Sequence, residues 1–239
     1  MAFPIKLNGI VLRTVNYREY DRMLTLFTQE QGRVEASARG ARRPSSKLLA
    51  ATTQFTLGEF LLNERGGQYY LAGCTVDKTH YALRESPPHL ACATLFARLC
   101  LEVVQEGEPN EGLFVLLLQA LAYLEAQFED IKSLTAAFLL RFLALNGQGL
   151  TLRRCVQCAG PLRDARFDFA KGGLACAEHA SPQSPPATKE QVFALLRAAQ
   201  GDRLIPLEPV EGCYQAMRAY TETLLDKQFP AFDYLERLL

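Results

Sequence analysis

Over roughly the first eighty residues, apolar and polar positions alternate in short runs. Leu7–Val15, Met23–Thr28 and Arg33–Ala38 have the β-branched, period-two character of half-buried strands. Phe55–Leu62 and Tyr69–Val76 follow a looser stretch, with Glu64-Arg65-Gly66-Gly67 supplying a turn between them. Five short strands in so small a region predict a barrel, because closure removes the exposed edges of a small sheet. A five-stranded oligonucleotide-binding (OB) barrel fits that count. So do an SH3-like barrel and an incomplete sandwich, and the pattern alone does not choose among them.

After Pro87-Pro88 the apolar spacing changes to three and four, which predicts helices over His89–Gln105, Glu111–Gln127 and Ile131–Asn146. Gly107 with Pro109, and then Asp130, interrupt them, and Gly147 and Gly149 close the third. Phe114, Leu117, Leu118, Leu121 and Leu124 are core positions at helical spacing. A compact insert at Thr151–Ser181 and a Pro/Ser linker at Ser181–Pro186 precede further helices at Thr188–Ala199, Glu211–Lys227 and Phe232–Leu238, which are expected to pack back on the middle bundle. The fold class is α+β and multi-domain. Its expected divisions are a barrel at 1–80, a helical domain at 81–150, a metal module at 151–181 and C-terminal helices at 182–239.

Composition changes this picture little, whereas charge changes it considerably. The chain has 239 residues, 49% hydrophobic and 22% charged, and is formally neutral, an ordinary globular mixture. No early stretch joins a basic flank to a continuous apolar core. The most apolar segment, Leu113–Leu124, is too short to span a bilayer. A cytoplasmic location is expected. Residues 1–50 carry nine cations (Lys6, Arg13, Arg18, Arg22, Arg33, Arg39, Arg42, Arg43, Lys47) against Glu19, Asp21, Glu30 and Glu35, a balance of +5 that the remaining residues offset. Charge sorted this way points to a polyanion, and nucleic acid is the commonest one; the competing reading is a solvated surface.

The cations gather around Ser37-Ala38-Arg39-Gly40-Ala41-Arg42-Arg43-Pro44-Ser45-Ser46-Lys47. Guanidinium groups bind phosphate through paired hydrogen bonds, and Gly40 permits close approach of the backbone. The candidate DNA contacts are Arg13, Arg18, Arg33, Arg39, Arg42, Arg43 and Lys47. Tyr20, with Tyr17, stands among charged neighbours where a base could stack. Phe27, in an apolar run, is expected in the core.

Cys155-Val156-Gln157-Cys158 is followed after seventeen residues by Cys176-Ala177-Glu178-His179. Two ligand pairs, each with two residues between, form a closed tetrahedral zinc site, structural in role because no coordination position is left open. Cys155, Cys158 and Cys176 are the expected thiolates and His179 the expected fourth ligand. The competing reading makes His179 a solvated loop residue, with water, another residue or nothing completing the shell; Glu178 is a less suitable oxygen donor beside a soft set. Cys74, Cys92, Cys100 and Cys213 are scattered in apolar contexts and read as core filler, and His80 and His89 as ordinary interdomain residues. There is no Walker-type glycine loop, nucleophile elbow or HExxH helix, and no cluster suited to two metals. Two further classes stand beside a DNA binder: a metal-dependent nuclease or hydrolase, which the thiolate-rich set disfavours, and a protein-interaction adaptor whose basic loop is incidental.

GIVLRT, YREYDRMLTLFTQEQGRV, ARGARRPSSKL and QFTLGEF, in that order, resemble the N-terminal domain of the bacterial RecO recombination-repair family. FLLRFLALNGQGL leading into CVQC and GGLAC resembles the family's second half. The resemblance covers nearly the whole chain. It implies an N-terminal OB barrel, a helical body and an inserted zinc module. It also implies a non-enzymatic mediator that binds single- and double-stranded DNA, anneals complementary strands, and works with RecR and the single-strand-binding protein SSB to load the recombinase RecA. The family's basic segment falls on Arg33, Arg39, Arg42, Arg43 and Lys47, and its YxEYD segment on Tyr17–Asp21. His179 stands where zinc-bearing members commonly have a fourth cysteine.

Overall fold

In the computed structural model, which describes residues 4–239, the five N-terminal strands are β1 (Ile5–Tyr17), β2 (Asp21–Thr28), β3 (Gly32–Ala38), β4 (Leu57–Arg65) and β5 (Gln68–Lys78). They close in the order β1-β2-β3-β5-β4, with β1 returning to β4. Every pairing is antiparallel except β3 with β5. One strand bonded to both β2 and β4, with a parallel β3–β5 closure, is the Greek-key arrangement of an OB-type barrel, which excludes the SH3-like and open-sandwich alternatives.

Period-two patterning builds the interior. On β3, Val34, Ala36 and Ala38 are buried while Arg33, Glu35 and Ser37 face outward. Leu7, Val11, Leu24, Leu26, Phe60, Leu62 and Leu71 complete the core, each large side chain contributing roughly 1.5–3 kcal/mol on burial. A bulge between Val11 and Arg13 shifts the β1 register and lets Val11 and Leu12 both be buried. Phe27 is fully buried as expected, yet outside the barrel, where it meets Phe114 edge-on at 5.2 Å.

A long connection, residues 39–56, joins β3 to β4 through successive turns with no regular helix. Thr52, fully buried, donates its hydroxyl to the Leu48 carbonyl at 2.9 Å. The strand predicted from Phe55 begins instead at Leu57, because Phe55 has φ 68° and its N–H donates to the Val11 carbonyl at 2.8 Å; a left-handed residue cannot continue a strand.

The helices are α1 (Pro87–Val103), α2 (Glu111–Glu125), α3 (Ile131–Leu145), α4 (Lys189–Ala198), α5 (Cys213–Leu224) and α6 (Pro230–Glu236). Two compact units result. The first comprises residues up to Ser86 with Ala93–Leu117, and the second Pro87–Cys92 with Leu118–Leu239. Within the first, the segment after α1 is bonded to the β2–β3 turn, with Arg33 N–H donating to Gln105 O (3.0 Å) and Gly107 N–H to Gln31 O (2.9 Å). Gly32 (φ 62°) permits this: a Cβ there would lie 2.4 Å from the Gln105 carbonyl oxygen.

In the second unit, α3 is buried along most of its length and packs with α4 and α5. Asp130 caps α3 by accepting the Ser133 N–H at 2.9 Å. Thr188 and Gln191 form a reciprocal capping box at α4. A small hairpin, β6 (Arg166–Asp168) with β7 (Gly173–Ala175), carries the cysteine-rich insert. The segment predicted as a Pro/Ser linker is bonded along β6, since Phe167 N–H donates to Pro185 O (2.9 Å) and Ala187 N–H to Ala165 O (2.8 Å). Proline lacks an N–H but keeps its carbonyl, so Pro185 can still accept in this attachment.

Candidate nucleic-acid interface and metal centre

On the first unit, the turn after β1 and the segment leaving β3 are fastened together. Asp21 accepts the Gly40 N–H at 2.8 Å, Arg42 N–H donates to the Tyr20 carbonyl at 2.9 Å, and the Arg42 guanidinium donates to the Glu19 carbonyl at 2.9 Å. Arg22 anchors the connection from beneath, donating to the Thr52 hydroxyl at 3.0 Å. Burial, and then the nearby Arg42 charge, hold the Arg22 pKa below the ordinary guanidinium value.

Around this turn and loop, arginines lie over tyrosine faces: Arg18 on Tyr17 (5.1 Å to the centroid), Arg39 on Tyr70 (4.6 Å) and Arg43 on Tyr20 (5.4 Å). Such stacking holds a guanidinium in place while its edge remains free for phosphate. Tyr17 and Tyr20 are 47% and 41% exposed, open enough for a base to reach. A cleft of about 480 Å³ opens beside Tyr17; Tyr17, Arg18, Glu35, Arg39, Tyr69 and Tyr70 are among the residues that line it. Asp21 and Glu106 also face it, so the cleft carries both signs of charge. Arg42, Arg43 and Lys47 are exposed on the loop beyond.

Of the residues singled out from sequence, Arg18 and Arg39 line the cleft, and Arg42, Arg43, Lys47 and Tyr20 belong to the adjoining turn and loop. Arg13, on the outer side of β1 opposite Thr25, and Arg33, opposite Phe27, are not among the lining residues. Tyr69 and Tyr70 went unnoticed in the sequence. They reach the site because Ala36 and Ser37 pair with them across the parallel β3–β5 contact.

In the second unit, Cys155, Cys158, Cys176 and His179 bring their donor atoms within 4.8 Å of one another. Cys158 Sγ lies 4.0 Å from Cys176 Sγ, and His179 Nδ1 3.1 Å from Cys176 Sγ. Donors ~2.0–2.3 Å from a central ion in a tetrahedron are separated by comparable distances, so the cluster fits one metal ion. Each ligand pair sits on a tight turn. The Ala159 N–H donates to Cys155 O (2.9 Å), the His179 N–H to Cys176 O (3.0 Å), and the Cys155 N–H to Gly160 O (3.0 Å). Gly173 lets the crossing segments meet, since a Cβ there would lie 2.4 Å from the Thr151 carbonyl oxygen.

Backbone N–H donors, the Cys158 group foremost, pull the Cys155 thiol down to about 6, so it enters the cluster as a thiolate at neutral pH. Burial pushes Cys176 upward. Burial also raises Cys74 and Cys213 to about 11 and Cys92 to about 12, as suits inert thiols in apolar surroundings. Glu178 is exposed and is not part of the cluster.

A closed OB-type barrel, together with a helical body that bears a Cys3His group able to hold a metal ion, defines the class of protein. The chain belongs to the RecO family of DNA repair proteins: residues 1–79 match the family's N-terminal domain (Recombination protein O N terminal) and residues 84–231 its C-terminal domain (Recombination protein O C terminal). It is 34% identical over 248 residues to the DNA repair protein RecO of Anaeromyxobacter sp. (strain K), covering 98% of this chain and 96% of that one. Its identity to the DNA repair protein RecO of Pelotomaculum thermopropionicum is 37% over 172 residues, 72% of this chain and 66% of that one. With the DNA repair protein RecO of Exiguobacterium sp. it shares 34% over 174 residues, 73% and 70% of the two chains.

Proposed function

We propose that this chain is a recombination mediator without catalytic activity, which binds single- and double-stranded DNA, anneals complementary strands and acts with RecR on SSB-coated DNA to help load RecA. The observation that carries the reading is the fastened basic loop beside a tyrosine-lined cleft on an OB-type barrel. Arg39, Arg42, Arg43 and Lys47 neutralise phosphates, while the tyrosines offer faces on which bases stack without sequence preference. The carboxylates of the cleft repel phosphate, so the backbone follows the loop and the bases turn toward the cleft. Membership in a DNA repair family supports the same direction, as does the absence of a helix long and apolar enough to cross a membrane among the described residues. Its place of action is then the cytoplasm, at the nucleoid.

The metal is zinc in this reading. Three thiolates and an imidazole form a soft, closed donor set, which folds its own loops and leaves no position for a reacting water. The test is a salt titration of binding to single- and double-stranded oligonucleotides, followed by sizing of the DNA. Binding that weakens linearly in log–log form, with DNA of unchanged length, is expected. Shortened DNA would point to a nuclease, and absence of binding at low salt to an adaptor.

A further inference from the structure

The arginines of the second unit fall into two groups. Arg218 is held by Glu222, Asp233 and Glu236, and Arg197 by Glu208. Arg141 donates to the Gly201 carbonyl, Arg237 to the Asp233 carbonyl, and Arg166 to the carbonyls of Pro182 and Ser184. Among the described residues, the side chains of Arg153, Arg154, Arg163 and Arg203 have no such partner. The first three are exposed and belong to the segment that carries the Cys and His ligands, Arg154 directly before Cys155 and Arg163 five residues after Cys158.

Their backbone is fixed. Thr151 N–H donates to Gly172 O (2.9 Å), Leu174 N–H to Thr151 O (3.0 Å) and Val156 N–H to Leu174 O (2.9 Å), which pins the chain on both sides of Arg153-Arg154. The Arg163 carbonyl accepts the Ala177 N–H at 3.3 Å, tying it to the turn that bears Cys176 and His179. Both halves of the module therefore present free guanidinium groups on backbone held by these hydrogen bonds. Exposed arginines with no acid partner have their full fork of donors open to a phosphate, and a fixed backbone limits how far each can move.

We infer that the metal-bearing module is a second nucleic-acid contact surface, which takes the phosphate backbone of a second strand. The inference rests on the annealing function proposed above. Annealing brings two polyanions together, and a single basic loop neutralises only one. A competing role for the same arginines is to balance the net negative charge of three thiolates around a divalent ion. The two roles separate by metal retention.

The full-length, zinc-loaded protein is compared with a variant carrying R153A, R154A and R163A. Capture of a second, non-complementary labelled oligonucleotide by the protein–oligonucleotide complex is measured alongside annealing of complementary strands. The variant is expected to keep its zinc and its thermal midpoint, and to bind the first strand within about twofold of the parent. Second-strand capture should weaken about tenfold or more, annealing should slow in parallel, and the salt slope of capture should fall by roughly 2, about 0.7 per lost contact. Lysine at the same three positions should restore most of both activities. Parental capture and annealing in the alanine variant would overturn the inference while leaving the proposed function intact, and loss of zinc from that variant would assign the arginines to charge balance instead. Failure of the parent to bind any DNA would remove the proposed function itself.

Discussion

Replacing Arg39, Arg42 and Arg43 with alanine removes the centre of the basic loop while leaving the barrel intact. Arg39 and Arg43 lie over Tyr70 and Tyr20 and hold no acid, so each is free to contact one phosphate. Arg42 also spends a hydrogen bond on the Glu19 carbonyl, an exposed bond with a charged donor worth on the order of 1–2 kcal/mol, and its removal relieves Arg22 of a like charge. The variant is therefore expected to fold. Two to three lost contacts at roughly 0.7 each flatten the slope of log affinity against log salt by about 1.4–2.1 on single strands. Between 50 and 200 mM salt, the parent should then lose about seven- to eighteenfold more affinity than the variant. Fluorescence anisotropy on oligonucleotides of several sequences measures this directly, and the loss should be similar for each. A folded variant with parental affinity and slope would refute the assignment of the loop.

Tyr70→Ala should weaken single-strand binding by about tenfold, through loss of a stacking face worth roughly 1–3 kcal/mol, with an unchanged salt slope in the same anisotropy titration; Tyr70→Phe should bind as the parent does. Cys176→Ser should lower the zinc content by elemental analysis and the thermal midpoint by on the order of 5 °C or more, before any specific loss of DNA binding, whereas His179→Cys should keep the metal. Because the folded Cys155 thiol is depressed to about 6, its thiolate stabilises the metal-free fold above the ordinary thiol range, and that contribution is lost as pH falls through about 6. Zinc binding should accordingly release one more proton below pH 6 than above it, and calorimetry in buffers of different ionisation enthalpy counts them.

Local patterns were legible where their meaning is local. The cysteine and histidine pairs announce a cluster able to hold a metal ion because two residues between ligands dictate the turn. The helices showed in their apolar spacing, and the strands in their alternation. What lay hidden depends on contacts distant in sequence. No local signal marks Tyr70, which comes beside Arg39 only through the parallel β3–β5 pairing. Phe55 reads as a strand residue by type, and its left-handed backbone is imposed by the Val11 carbonyl. Arg42 looks like a free cation, and the Glu19 carbonyl that occupies part of its guanidinium is twenty-three residues away.

Annealing of complementary oligonucleotides with ATP and magnesium both omitted tests most directly whether phosphate neutralisation is how this protein works. Strand pairing should run faster with protein than without, and the acceleration should fade over the salt range in which binding weakens. A requirement for ATP or magnesium, or acceleration that persists unchanged at high salt, would contradict it.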